Sequence, residues 1–397
     1  MNATVSASSL SALAGALRVV PGAPLPLALQ SSRRDWAPKL AVGRPAVALP
    51  GLMASVFNLC SHAHRVCAQL ALSVAQPDAQ GALPTRQIAQ RLRTETAQEH
   101  IRRIGLDWPR LLGTDAVGTP HILANQAAEA RIALQRCPLL APSGPADPWV
   151  PMLRWLQNDL LHMPAATWLA QWQAGGGDWL QAWASAHNGW LATLVSGARE
   201  FDDALPLNPV TALRLHAQAA DMRALAAALC SQPGFAMSPQ WQGSCAHTGN
   251  WSRLYSPAVH QPLTPWALLG SRVAELVRLC LPDEGPAQGA GILAFGTLQT
   301  GAQQGLAWVE MARGLLVHRV ELDTPGPSAT VRACNVLAPT EWNFHPHGVV
   351  AQHLSRVGAD EPAAVVDRRV RLLMAAFDPC VPFDVVHPCP AKETFHA

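Results

Sequence analysis

Lysine is almost missing from this 397-residue chain: it occurs only at Lys39 and Lys392, so nearly all positive charge is arginine. Charged residues make up only 14%, and 29 basic against 27 acidic side chains leave a net charge of +2. No basic block forms, which argues against a nucleic-acid partner. Tyrosine is reduced to Tyr255, whereas there are 14 tryptophans, a number that suits wide packing surfaces between helices. At 49% hydrophobic the chain is far from disordered composition, and it is long enough for one large domain or two or three small ones.

A charged leader region is also lacking at the N-terminus, so no signal peptide is expected. The nine cysteines are odd in number and irregularly spread, in a chain too large to need stapling. Reduced thiols and a cytoplasmic location follow as expectations. One stretch, Pro45 to His64, carries no Lys, Arg, Asp or Glu. It contains Pro45, Pro50, Asn58, Ser61 and His62, which argue against a membrane span. No internal repeat or low-complexity segment is present.

The pattern predicts a mainly α fold with small β elements (α+β). Residues 1–50 hold short apolar runs split by Pro21, Gly22 and Pro24, which read as a small β-containing segment. Residues 51–397 read as the main domain, forming a single compact unit with that segment. Residues 51–76 lack proline and predict one helix that Pro77 ends; further helices are expected at 87–106, over most of 152–235, at 266–281 and at 368–377. Within 152–235, Trp168/Trp172 and Trp179/Trp183 flank Gly175–Gly177, which suits core packing of two amphipathic helices around a glycine break. Val210 to Cys230 reads as a further helix. Residues 289–337 read as two or three strands with a hairpin at Pro325-Gly326-Pro327.

Five short segments carry the chemistry. Val56–Cys67 gathers Cys60, His62, His64 and Cys67 on apolar chain, as a soft or borderline metal requires. On a helix Cys60, His64 and Cys67 share a face, so that Cys60 could ligate a metal, His64 could hydrogen-bond its sulfur, and Cys67 is either a core residue or an accessory thiol. Phe377-Asp378-Pro379-Cys380 presents a thiol between Pro379 and Pro382, with His387 downstream. Glu310 to His318 places Arg313 before Gly314 at a strand entry, where its forked donors could meet a ligand or form a surface salt bridge with Glu310. Ala338–Phe344, with Thr340, and His247–Arg253 read as loops when taken alone.

Together, VFNLCSHAH, HTGNWSR, EMARGLLVH, APTEWNF and FDPCVPFDVVH occur in an order that resembles the large subunit of nickel–iron hydrogenases. That family has CxxCxxxH, an ETGPLAR-like segment, EAPRGxLxH, PTxWN and DPCxxCxxH. Gly43-Arg44-Pro45 loosely echoes its GRxP segment, so the similarity runs from about Gly43 to His387. The departures concern the metal ligands. With His64 on the family histidine, Cys60 falls on the second cysteine of the first pair and Phe57 on the first. Cys380 keeps the first cysteine of the second pair, and Phe383 replaces the second. The resemblance thus implies half of the nickel shell, no nickel, and no catalysis. His387 lies one residue too far from Cys380, which puts the family's further metal position in doubt, and no counterpart of RIEGH is found.

The pattern resembles the HupK/HoxV family of hydrogenase maturation proteins. That likeness implies a large-subunit-like helical bundle that holds or delivers the Fe(CN)2(CO) group transiently. Cys60 and Cys380 would hold the iron, and His64, Arg313, Glu310 and Thr340 would surround it. Cys67, His387 and Cys389 are accessory or doubtful. The implied partners are maturation factors of the HypC/HypD type and the hydrogenase large-subunit precursor. The competing expectations are a metal-free relative that docks such factors, an active hydrogenase, and a structural zinc site at Cys60, Cys67 and the histidines.

Overall fold

The computed structural model describes residues 15–77, 84–113, 120–142, 147–202, 214–254, 264–282, 293–358 and 361–387. Tyr255, Cys389 and the tail from residue 388 lie outside this set.

The N-terminal segment forms two short antiparallel strands, β1 (Leu17–Val19) and β2 (Leu29–Ser31). The stretch expected as one helix is two. Helix α1 (Leu49–Val56) ends at Phe57, whose φ of −107° and ψ of 62° are not helical, and α2 (Ser61–Ala75) begins after a 3-10 turn at Asn58–Cys60. The axis bends by 104° there, and among the described residues no single helix is long and apolar enough to cross a membrane. Helix α3 (Thr85–Arg102) continues through a π turn to Asp107. Helix α4 (Ala165–Ala186) kinks at Gly176, and its two halves bring Trp168 and Trp183 edge to face at 5.8 Å in the core. The helix expected at 210–230 runs instead from Ala219 to Ser231, and residues 203–213 lie outside the described set. Helix α5 (Pro265–Cys280) starts with proline, and the Thr264 hydroxyl accepts the Ala267 N–H.

Four strands follow, one or two more than expected: β3 (Phe295–Gly301), β4 (Gln304–Met311), β5 (Gly314–Leu322) and β6 (Val331–Leu337). They form an antiparallel meander in chain order, closed by the hairpin at Pro325–Pro327. Both faces of β5 are buried. Leu316 and Val320 join the main core with α2, whereas Leu315 and Val317 pack with Met222, Leu225 and Trp342. Helix α2 lies very close to the sheet: a Cβ on Gly305 would stand 2.0 Å from the Ala71 carbonyl oxygen, so glycine is required there.

A short helix α6 (Pro339–Asn343) follows the sheet, and α7 (Ala363–Phe377) leads to β7 (Phe383–Val385). Strand β7 pairs parallel with β1, Leu17 opposite Phe383. The first and last strands of the described residues thus meet beside Cys380. The fold is mainly α with two small sheets, as the sequence pattern predicts.

Candidate functional site

The break at Phe57 changes the geometry of the first cysteine segment. Cys60 occupies the N-cap position of α2, with φ −130° and ψ 41°, so it does not sit one helical turn below His64. The orphan N–H groups at the start of α2 are capped from outside the segment. Both carboxylate oxygens of Glu95, on α3, accept at 2.8 Å, one from His62 N–H and the other from Ala63 N–H. Burial raises Glu95 to about 7, against the pull of those two N–H groups and of Arg313. Cys60 is buried, and burial pushes its thiol well up; Arg313 draws it back, while Cys380, Glu95 and Glu99 add to the rise.

His64 is fully buried, and its hydrogen bond is made to another imidazole, not to the Cys60 sulfur: its Nδ1 lies 3.0 Å from Nε2 of His318 on β5. Burial lowers both rings, His318 to about 3, so the pair is neutral. Phe57 stacks flat on His64 at 4.0 Å, fixing the ring from the other side. Cys67 is a core residue whose thiol donates to the Ala307 carbonyl at 3.4 Å.

The second thiol stands where α7 ends. Asp378 takes a left-handed conformation, φ 52°, and terminates the helix. Arg33 donates from Nη1 to the Cys380 sulfur at 3.3 Å, and the Thr340 hydroxyl lies 3.1 Å from the same atom. Thr340 therefore touches the thiol directly, from the start of a helix and not from a loop. Glu341, the next residue, holds Arg33 by bonds of 2.9 and 2.7 Å. Burial works against the charge of Arg33, but Cys380 and Glu341 together hold its pKa above the ordinary value.

Arg313 lies in the turn between β4 and β5, 3% exposed, and its partners are buried as well. It bonds Glu99 at 3.2 Å, the Asp378 carbonyl at 3.2 Å and the Asp378 carboxylate at 3.3 Å. Its other terminal nitrogen, Nη1, has no hydrogen-bond partner among the described residues. Burial opposes its charge, and Asp378, Glu99, Cys60 and Cys380 restore it. Glu310 is not its partner. That carboxylate pairs with Arg253 of HTGNWSR, which also forks onto Glu275 of α5 with two bonds of 2.7 Å. Glu275 meets His100 at 2.6 Å, His100 meets Arg272 at 3.1 Å, and Arg272 reaches Asp378 at 3.3 Å. A continuous buried chain of ion pairs and hydrogen bonds, passing through the His100 imidazole, thus links Glu310 to Asp378 and Arg313.

The remaining segments lock around this chain. Asn343 accepts the Thr248 N–H at 2.9 Å and donates to the Thr248 carbonyl at 2.8 Å. The Thr248 hydroxyl accepts the Leu315 N–H at 3.0 Å. Gly314 has φ 127°, and a Cβ there would meet that hydroxyl at 2.5 Å.

The structure therefore brings Cys380, Thr340 and Arg313 together, with Cys60 within the reach of the Arg313 charge, and places Glu310 further along the ion chain. His387 lies at the surface, paired with Asp367 at 2.9 Å. Among the described residues no three His, Cys, Asp or Glu gather as a metal-binding group, which leaves the zinc reading without its ligand set. A cleft of about 850 Å³ opens onto Cys380, walled by Leu59, Asp378, Phe383 and Val385. Sequence reasoning missed Arg33, Glu341, Asp378 and His318 as site residues, although three lie inside quoted segments. Glu95 and Glu99 lie in the helix expected at 87–106, where nothing singles them out as site residues. Arg33 carries no local signal.

No family model matches the sequence. The fold is similar to that of nickel–iron–selenium hydrogenase from D. vulgaris Hildenborough in the reduced state, with a TM-score of 0.51 and 13% identity over 89% of this chain and 92% of the other. A variant of that hydrogenase gives a TM-score of 0.50 at 14% identity, again over 89% and 92%. Hydrogenase expression/formation protein HoxV of Cupriavidus necator is 38% identical over 97% of this chain and 99% of its own length. Hydrogenase expression/formation protein HupK of Bradyrhizobium diazoefficiens is 31% identical over 90% and 92%. Relatives this similar along nearly the whole chain, on a hydrogenase fold, make it a member of the HoxV/HupK family of hydrogenase expression/formation proteins.

Proposed function

We propose that the chain serves hydrogenase maturation as a scaffold that holds the Fe(CN)2(CO) group as cargo between Cys60 and Cys380 and passes it on. The observation that carries this reading is Arg313, a buried guanidinium near both thiols whose Nη1 lacks a partner among the described residues. A buried unpaired donor is costly, and an anionic acceptor such as cyanide would satisfy it. Each thiol has a guanidinium at hand: Arg33 donates to the Cys380 sulfur, and the charge of Arg313 acts on Cys60. Burial keeps Cys60 protonated in the free protein, so loading a soft metal releases a proton there. The cleft at Cys380 offers a route for cargo.

The resemblance places Phe57 and Phe383 where two further thiolates would be needed for nickel. Phe57 is engaged by His64, and Phe383 by strand pairing with β1. This supports an iron carrier over a nickel enzyme. Such a carrier would act in the cytoplasm with HypC/HypD-type factors and the large-subunit precursor.

The test is anaerobic purification from a host with the maturation machinery, followed by infrared spectroscopy and a metal count. Cyanide and carbonyl bands with iron and without nickel are expected, and Cys60→Ala or Cys380→Ala should abolish them. Wild-type protein without bands, under conditions where a genuine hydrogenase precursor shows them, would overturn the cargo reading. Partner binding indifferent to Cys60→Ala would then favour a metal-free docking role.

A further inference from the structure

The small sheet beside Cys380 is open on one side. Its strand order is β2-β1-β7, so β7 is an edge, and all three of its residues, Phe383, Asp384 and Val385, line the cleft onto Cys380. The pairing with β1 fixes which backbone groups are left over. Leu17 N–H donates to the Pro382 carbonyl, and Val386 N–H donates to the Val19 carbonyl. In a parallel ladder every second residue of a strand bonds the same neighbour. Pro382, Asp384 and Val386 therefore turn their backbone toward β1, and Phe383 and Val385 turn theirs outward. Among the described residues the outward N–H and C=O groups of Phe383 and Val385 have no hydrogen-bond partner. Such an edge is a template for one more strand.

The side chains say which strand it fits. Phe383 and Val385 pack on the main core, and Asp384 points to the other face and is exposed. The other carboxylates of the cleft are held by cations: Asp107 and Asp378 by Arg103, Asp367 by His387. Among the described residues Asp384 has no ion pair. An added strand thus sets apolar side chains beside Phe383 and Val385 and calls for a cation beside Asp384. Two nearer occupants fit badly. A second copy, paired about a two-fold axis through the middle of β7, opposes Asp384 to its own counterpart. The chain beyond His387 reads Pro388-Cys389-Pro390, and proline has no N–H for a ladder.

We infer that the free edge of β7 is a docking site for an extended segment of a protein partner, reading apolar–basic–apolar, which adds a strand along the cleft. The inference rests on the carrier reading only in making that partner the one that brings or receives the cargo at Cys380. The pairing itself needs no cargo. The charge of Asp384 keeps the edge from pairing with itself and selects a basic segment.

The test uses Cys380 to report on the edge. Cargo-free full-length protein is equilibrated in a thiol–disulfide buffer with equal amounts of two peptides, Cys-Gly-Gly-Val-Lys-Val and Cys-Gly-Gly-Val-Glu-Val. Their spacing from thiol to charge matches that from Cys380 to Asp384. Peptide mass mapping reads which one is held on Cys380. The lysine peptide is expected to exceed the glutamate peptide about threefold, the effect of one cross-strand charge pair made against one opposed. Asp384→Lys should reverse the preference. Val385→Pro removes an outward donor and leaves the bonds to β1, and should lower capture of both peptides. Equal capture by the wild type, or a preference that survives Asp384→Lys, overturns the inference. So does absence of capture, and if capture then appears in a chain cut after His387, the edge belongs to the chain's own tail. The infrared test of the cargo uses loaded protein, so the two readings fail independently.

Discussion

Arg33 donates to the Cys380 sulfur across 347 positions of sequence, and Glu341 fixes it there. The contact joins the N-terminal β segment to the C-terminal cysteine segment. It explains why two strands of three residues each can matter to the Cys380 site: β1 and β7 set the distance over which the guanidinium must reach.

Removing that guanidinium leaves Glu341 buried without its cation. Arg33→Ala is expected to cost about 3–5 kcal/mol in a urea melt, the range for breaking a buried pair. Adding Glu341→Gln to Arg33→Ala should recover part of that loss, since the uncompensated charge is then gone. A loss in the double variant equal to the sum of the Arg33→Ala and Glu341→Gln losses would show that the pair is not coupled.

Gly314 is the narrowest point of the lock between HTGNWSR and β5. Gly314→Ala adds a positive-φ penalty and a collision with Thr248, and about 2–4 kcal/mol of destabilisation is expected. Thr248→Ala removes the colliding Oγ1 and Cγ2 atoms, so the double variant should be more stable than the sum of the two losses predicts. Thermal unfolding of the four proteins measures this cycle.

Glu95 makes stability fall as pH rises. Its folded pKa is raised to about 7 from 4.5, so the folded state binds the proton more tightly. The associated stabilisation is complete below pH 4.5 and is lost as pH climbs through 7. The loss across that window is on the order of 3 kcal/mol. Glu95→Gln should flatten this part of the profile, while also weakening the cap on α2, because an amide offers one acceptor oxygen where the carboxylate offers two. Denaturant melts at pH 5 and 7.5 compare the slopes.

Glu275 acts with the opposite sign. Burial pushes its carboxyl up, but Arg253 and His100 more than offset this and hold it at about 2, below the ordinary 4.5. Its contribution is present above pH 4.5 and is lost as pH falls toward 2. Glu275→Gln is expected to cost about 3–5 kcal/mol at neutral pH by leaving Arg253 short of a partner, and to make the acid limb shallower. Acid titration followed by tryptophan fluorescence reads both effects.

Much of the architecture was legible because it is written in local periodicity and in segments with fixed internal spacing. The helices at 87–106 and 266–281, the glycine break in the tryptophan helix and the proline-flanked hairpin all follow from patterns confined to neighbouring residues. The helix expected at 51–76 failed because nothing in its composition marks the break: Phe57 leaves helical geometry in a stretch without proline. That one turn moved Cys60 off the face of His64. His64 in turn found His318, 254 positions away, as its hydrogen-bond partner.

By itself the sequence determined the mainly α fold and the two thiols worth following, because residue type and order carry that information. It also pointed to Arg313 beside a glycine turn. Only the tertiary structure decided which charges those thiols meet. A salt bridge depends on distance in space, and the partners Glu99, Asp378, Arg33 and Glu341 are scattered over α3, the end of α7, the loop after β2 and α6. The same holds for the open edge beside Cys380: Leu17 and Phe383 lie near opposite ends of the chain and are paired only by folding.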